Sequence, residues 1–302
     1  MILVMGDFRD SLFNSRKIAK QSLFSKSIDQ TRLNLGSFRF NSDIQIDLPL
    51  YQSALSVDWR KLNQSLISSF NDKTQLIFIN LSLAKYLDAF FSYIENTFTG
   101  TFIIDSLDTS LETKPEWVGN LAKWAAPHIL NPKTSSGFLI PLGVEERRRF
   151  EHNKPWLFAK PVSKPGYILV GPFAPTNLVR NSVNTLHPTP EIEIRTNRLG
   201  PLMYSRLAGH FRFVFCPPGN GIDTHRFWET LYRGSIPIVL RSEWSTYFLN
   251  LGIPMLELND IGELIDFRRD FLSESYEELN SALSRNYEIL TNFFWITKIR
   301  DL

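Results

Sequence analysis

Apolar positions along the chain fall into short unbroken runs separated by longer stretches with helical spacing. Ile2–Met5, Leu76–Leu81 (LIFINL) and Thr101–Asp105 (TFIID) are compact apolar runs of the kind that form buried strands. Between them, the polar stretch from Asp10 to about Arg32 carries Ile18, Leu23 and Ile28 at helical spacing, and Tyr86–Phe98 has the same period. After mid-chain the alternation restarts. Tyr167–Val170, Phe213–Cys216 and Ile236–Leu240 predict strands. Helices are predicted from Asn177, over Phe227–Arg233 and Ile261–Phe271, and from Ser275 to about Ile299, the last long and amphipathic. Strands alternating with helices predict an α/β protein with a mainly parallel sheet. No repeat or low-complexity tract interrupts the pattern.

Between the two halves lies Glu145–Pro165, where EERRRFEHNK is followed by Pro155, Pro161 and Pro165. A charged, proline-punctuated stretch reads as a domain boundary. It predicts an N-terminal domain over residues 1–150 and a C-terminal domain over 151–302, with the last helix able to pack back on the first. A chain of 302 residues supports that division. Two α/β halves joined in this way predict a cleft between them, where small-molecule sites commonly lie.

Composition narrows the function classes. With 33 basic and 31 acidic residues the formal net charge is +2, which gives no basis for a nucleic-acid or membrane-surface partner. Cys216 is the only cysteine, so no intrachain disulfide can form and a reducing compartment is expected. The opening MILVMGDFRD has too short an apolar run for a signal peptide, and no stretch approaches the roughly 20 apolar residues of a membrane span. A soluble, cytoplasmic protein without a transmembrane segment is expected.

The chemistry concentrates in CPPGNGIDTHRFWETLYRGSIPIVL, Cys216–Leu240. Pro218, Gly219, Asn220 and Gly221 form a tight loop whose glycines let backbone approach a ligand closely. Asp223 or Thr224 can cap the helix that follows, leaving amides and the positive dipole end facing the loop. His225 and Arg226 add donors suited to a diphosphate, and Glu229, one turn on from His225, could accept from a ribose diol. A plainer account remains open. G-x-G without a third glycine is not the dinucleotide fingerprint, no P-loop is present, and a glycine turn with a His–Glu pair can be purely structural.

The stretch FRFVFCPPGNGIDTHRFWETLYRGSIPIVL resembles the donor-binding signature of exostosin-type and related GT-B glycosyltransferases, over about thirty residues. The resemblance implies a GT-B-like fold: two Rossmann-like α/β domains with a cleft between them, the C-terminal one holding a nucleotide sugar. It implies Arg226 on the diphosphate and Glu229 on the ribose, with Asp223, Thr224 and His225 near the phosphates or the sugar. YILVGPFAPTNLVRNSV is similar to the loop after the first strand of that domain, which implies Thr176, Asn177 and Arg180 facing the phosphates from the other side. Otherwise Thr176-Asn177 is a helix cap and Arg180 a surface charge. NPKTSSGFLIPLGVEE resembles the end of the N-terminal domain and bears on architecture alone.

An inverting sugar transfer needs a base to take the acceptor proton, and the resemblance leans toward inversion. Asp105 and Asp108 follow a predicted parallel strand, at the edge where α/β sites form; Asp108 is the first candidate, then Asp105, with Asp7 in reserve. Each can equally be a turn or cap residue. There is no zinc-type Cys/His spacing, and DSLD separates its two aspartates by three positions, so no metal and no cofactor beyond the donor co-substrate is expected. His187 and His210 read as ordinary loop or surface residues, and Trp244 and Tyr247 as packing or flanking the donor loop. The expected activity is metal-independent transfer of a sugar from a nucleotide sugar to a hydroxyl of a glycan or glycoconjugate. The alternatives are a non-catalytic sugar-nucleotide-binding or scaffold protein, and an enzyme acting on some other phosphate ligand.

Overall fold

The computed structural model describes residues 42–47, 57–106, 108–133, 135–144 and 163–302. The expected strand Ile2–Met5, the helical stretch after Asp10, the reserve base Asp7 and most of the charged linker lie outside the described residues. The chain divides into two compact units, one running to Pro141 and taking in Asn292–Leu302, the other spanning Leu142–Thr291. Each holds a five-stranded parallel sheet, so the protein is α/β, compatible with two Rossmann-like domains.

The first unit is built from β1 (Ile44–Ile46), α1 (Trp59–Ser69), β2 (Leu76–Asn80), α2 (Asp88–Ile94), β3 (Thr101–Asp105), β4 (Lys123–Ala126) and β5 (Phe138–Leu139). Its strands lie side by side in chain order. Every residue of β2 and β3 is buried, as a parallel strand covered on both faces requires. Asp58 caps α1 by accepting from the Lys61 N–H. The buried Asn63 then ties α1 to α2: its amide donates to Trp59 O and Tyr86 O, and its oxygen accepts from Phe90 N–H. Phe91, Phe102 and Trp117 complete the core, Phe91 stacked on Trp117 with ring centroids 4.7 Å apart.

The second unit runs through β6 (Gly166–Val170), α3 (Leu178–Ser182), β7 (Ile192–Ile194), α4 (Pro201–Gly209), β8 (Phe211–Phe215), α5 (His225–Tyr232), β9 (Ile236–Leu240), α6 (Glu243–Asn250), β10 (Leu256–Leu258) and α7 (Arg269–Arg285). Its sheet order is β7-β6-β8-β9-β10, all parallel. The chain steps outward from β6 to β7, then returns to the other side of β6 with β8. That reversal is a topological switch point, which parts the loops leaving the carboxyl ends of β6 and β8. Behind α5, Trp228 packs edge-on against Phe248, and Trp244 against Phe227 and Phe248.

The single long helix expected from Ser275 to about Ile299 is broken. α7 ends at Arg285, Tyr287–Leu290 forms a 3-10 turn and Thr291 is extended before α8 (Asn292–Arg300) begins. The break is fixed by tertiary contacts: the Asn286 amide donates to Gly252 O at 3.2 Å, and the Tyr232 hydroxyl donates to Leu290 O. α8 belongs to the first unit, where Trp295 is fully buried and packs near Phe138. Ile261–Phe271 also differs from expectation. Asp260 caps a 3-10 turn over Ile261–Asp266, Phe267 is extended, and α7 starts only at Arg269. Among the described residues no helix is long and apolar enough to cross a membrane.

Candidate functional site

The carboxyl ends of β6 and β8 carry the residues that the sequence singles out. After Val170 the chain turns at Gly171, whose φ is +82° and where a Cβ would lie 2.2 Å from Arg195 O. Only glycine fits that turn. It delivers Phe173 to the switch point, where the ring meets Phe215, the last residue of β8, edge-on at 6.1 Å.

Two arginines flank that ring. The Arg226 guanidinium, in the first turn of α5, lies over two aromatic rings, 4.4 Å from the Phe173 centroid and 4.7 Å from that of Tyr204 on α4. Its Nη2 donates to Pro172 O at 2.7 Å. Arg180, on α3, sits 5.7 Å from the same Phe173 centroid and donates through Nε to Pro218 O at 2.8 Å. Among the described residues neither arginine is in ion-pair contact with a carboxylate. Burial, with the positive charge of Arg226 nearby, lowers the Arg180 pKa from its ordinary value. Two like charges held together in part-buried surroundings form a site that favours an anion.

Asn177 fastens the loop between them. Its oxygen caps α3 by accepting from Arg180 N–H, while its amide donates to Pro218 O at 2.8 Å and Gly219 O at 2.6 Å. At Gly219 a Cβ would stand 2.9 Å from Arg180 Nη2, so the glycine makes room for the guanidinium. Thr224 is the N-cap of α5, yet its side chain makes no capping bond. Thr176 and Asn220 are exposed beside this loop.

Asp223, His225 and Glu229 have structural partners. Asp223 is buried and accepts from Leu142 N–H and Trp228 Nε1, each at 2.8 Å. Desolvation outweighs those bonds and pushes its pKa up to about 8. His225 Nδ1 lies 2.7 Å from Gly143 O; a carbonyl only accepts, so Nδ1 carries the proton. Glu229 is 5% exposed and pairs with Arg233 at 3.5 Å, and Arg233 Nε donates to Ser205 Oγ. Cys216 is buried under the loop, within 3.6 Å of Thr230 Oγ1, and desolvation pushes its thiol up to about 12.

Asn177, Arg180, Pro218, Gly219 and Arg226 thus come together around Phe173. Asp105 and Asp108 belong to the first unit: Asp105 ends β3 and is buried, and Asp108 is exposed. The same sheet edge carries the buried Asn80, Ser106 and His128. Phe173 and Tyr204 were missed from the sequence, because each matters through partners distant along the chain. The G-P-F turn after a predicted strand was the only local sign of Phe173. Trp244 packs in the core of the second unit. A separate groove of about 590 Å³ lies beside the start of β6 and along β7, lined by Tyr167, Glu191, Arg195 and Arg269 among others.

Compared with known protein families and with curated proteins, the chain matches none.

Proposed function

We propose that the protein is a GT-B-type glycosyltransferase that binds the diphosphate of a nucleotide sugar at the carboxyl ends of β6 and β8. The observation that carries this reading is the pair of arginines, Arg180 and Arg226, at the β6/β8 switch point, without a carboxylate partner among the described residues. An α/β sheet favours ligands at such a crevice, and a helix N-terminus with an uncapped first turn adds positive potential. The resemblance of Cys216–Leu240 to the donor-binding signature supports a nucleotide sugar as the anion.

In this reading the acceptor oxygen bonds to the anomeric carbon as the bond from that carbon to the diphosphate breaks. Arg180 and Arg226 stabilise the departing charge, and no metal is required. Glu229, oriented by Arg233, takes the ribose hydroxyls. The acceptor proton goes to Asp108, with Asp105 and Asp7 as the other candidates. The acceptor is a hydroxyl of a glycan or glycoconjugate.

A panel of nucleotide sugars with glycan acceptors tests the proposal, with product formation followed for the wild type, Arg226→Ala and Asp108→Asn. The reading expects one donor to turn over and both variants to lose activity while remaining folded. Donor binding without turnover would leave a non-catalytic sugar-nucleotide-binding protein. No binding of any donor would refute the site.

A further inference from the structure

We infer that Phe173 and Tyr204 are positioning residues, an aromatic bracket that holds the Arg226 guanidinium beside Arg180 so that the site prefers a diphosphate to a single phosphate. The inference rests on the diphosphate reading above and extends it to residues that no motif marks.

A guanidinium is planar and donates only within its plane. With the Phe173 and Tyr204 rings both packed against it, at 4.4 and 4.7 Å, the Arg226 guanidinium is restrained by two aromatic contacts. Its Nη2 is held by Pro172 O, and its buried Nη1 has no hydrogen-bond partner among the described residues. The bracket itself is rigid: Phe173 is set by the Gly171 turn and by Phe215. The ring of Phe173 also lies 5.7 Å from Arg180, whose Nε is pinned to Pro218 O. One phenyl ring therefore contacts both cations, whose like charges repel. A ligand charged on two phosphoryl groups offers charge and acceptor oxygens to both guanidiniums at once, more than one phosphate carries. The Tyr204 hydroxyl is buried without a hydrogen-bond partner among the described residues, and the ring makes the contact with Arg226.

Calorimetric titration with inorganic pyrophosphate and with orthophosphate tests this. The wild type is expected to prefer pyrophosphate. Phe173→Leu and Tyr204→Leu should each weaken pyrophosphate binding by about tenfold, with little change for orthophosphate, and Tyr204→Phe should rescue the preference. Arg226→Lys keeps the charge and disturbs neither ring, yet should lose the preference as well; it serves if a leucine variant does not fold. Retained preference in folded leucine variants or in Arg226→Lys, or loss in Tyr204→Phe, overturns the bracket alone. A wild type that binds neither pyrophosphate nor any nucleoside diphosphate overturns the underlying reading together with it.

Discussion

The Asp223 carboxyl group accepts from Trp228 Nε1 at 2.8 Å through one oxygen and from the Leu142 N–H at 2.8 Å through the other. A residue suited to capping a helix is instead turned inward, where it joins the start of α5 to the first residue of its unit. Burial keeps this carboxyl protonated up to about pH 8.

That burial has a sign that can be measured. The folded protein binds the Asp223 proton more tightly than the unfolded chain, whose carboxyl titrates near 3.8. The group's contribution to stability is therefore complete below that value and is lost as pH rises to about 8. Asp223→Asn has no proton to lose. Thermal unfolding of both proteins from about pH 5 to about pH 9 should show the wild type losing ground to the variant as pH rises. A wild type that gains on the variant would contradict the assignment.

Asn177 acts on two structures at once, as cap of α3 and as the tether of the Pro218–Gly219 carbonyls. Asn177→Ala should cost about 2 kcal/mol in denaturant unfolding, the sum of a lost cap and lost loop bonds. The freed loop should also weaken nucleotide binding. Unchanged stability would mean that the loop holds itself.

Glu229 and Arg233 are both nearly withdrawn from solvent, with side chains 6% and 3% exposed. Glu229→Ala should destabilise by about 3–5 kcal/mol, because it strands a buried cation. Loss of activity in that variant would say nothing about ribose. Glu229→Gln/Arg233→Met removes both charges, and should regain most of the stability while donor affinity stays low. Wild-type donor affinity in the double variant would remove Glu229 from the donor site.

The Cys216 thiol is predicted to resist aromatic disulfide reagents at about pH 8 in the native protein and to react at once in denaturant. Fast reaction of the native protein would show that the loop above it opens readily.

The sequence revealed the central strands because they are unbroken apolar runs: Thr101–Asp105 and Ile236–Leu240 form β3 and β9 over the expected residues. The outer strands did not announce themselves. β1, β5, β7 and β10 are two or three residues long, too short for any period to register. The apolar spacing after Ser275 continued through a break, which comes from Tyr232 and Gly252, elsewhere in the chain. At the site, the loop and Arg226 were legible from local chemistry, and Arg180 only through the resemblance. Tyr204 was not, since its position on α4 becomes meaningful only where the fold lays it over Arg226. His225 and Glu229 were read as lying on one helix face; His225 meets Gly143 O, and Glu229 pairs one turn further on, with Arg233.

The most direct test of the diphosphate site is a crystal structure of the protein soaked with a nucleoside diphosphate. The ligand's two phosphates are predicted to lie at the carboxyl ends of β6 and β8, in contact with Arg180 and Arg226. Density in the groove beside Tyr167 and Arg269, with the arginine pair untouched, would contradict the account.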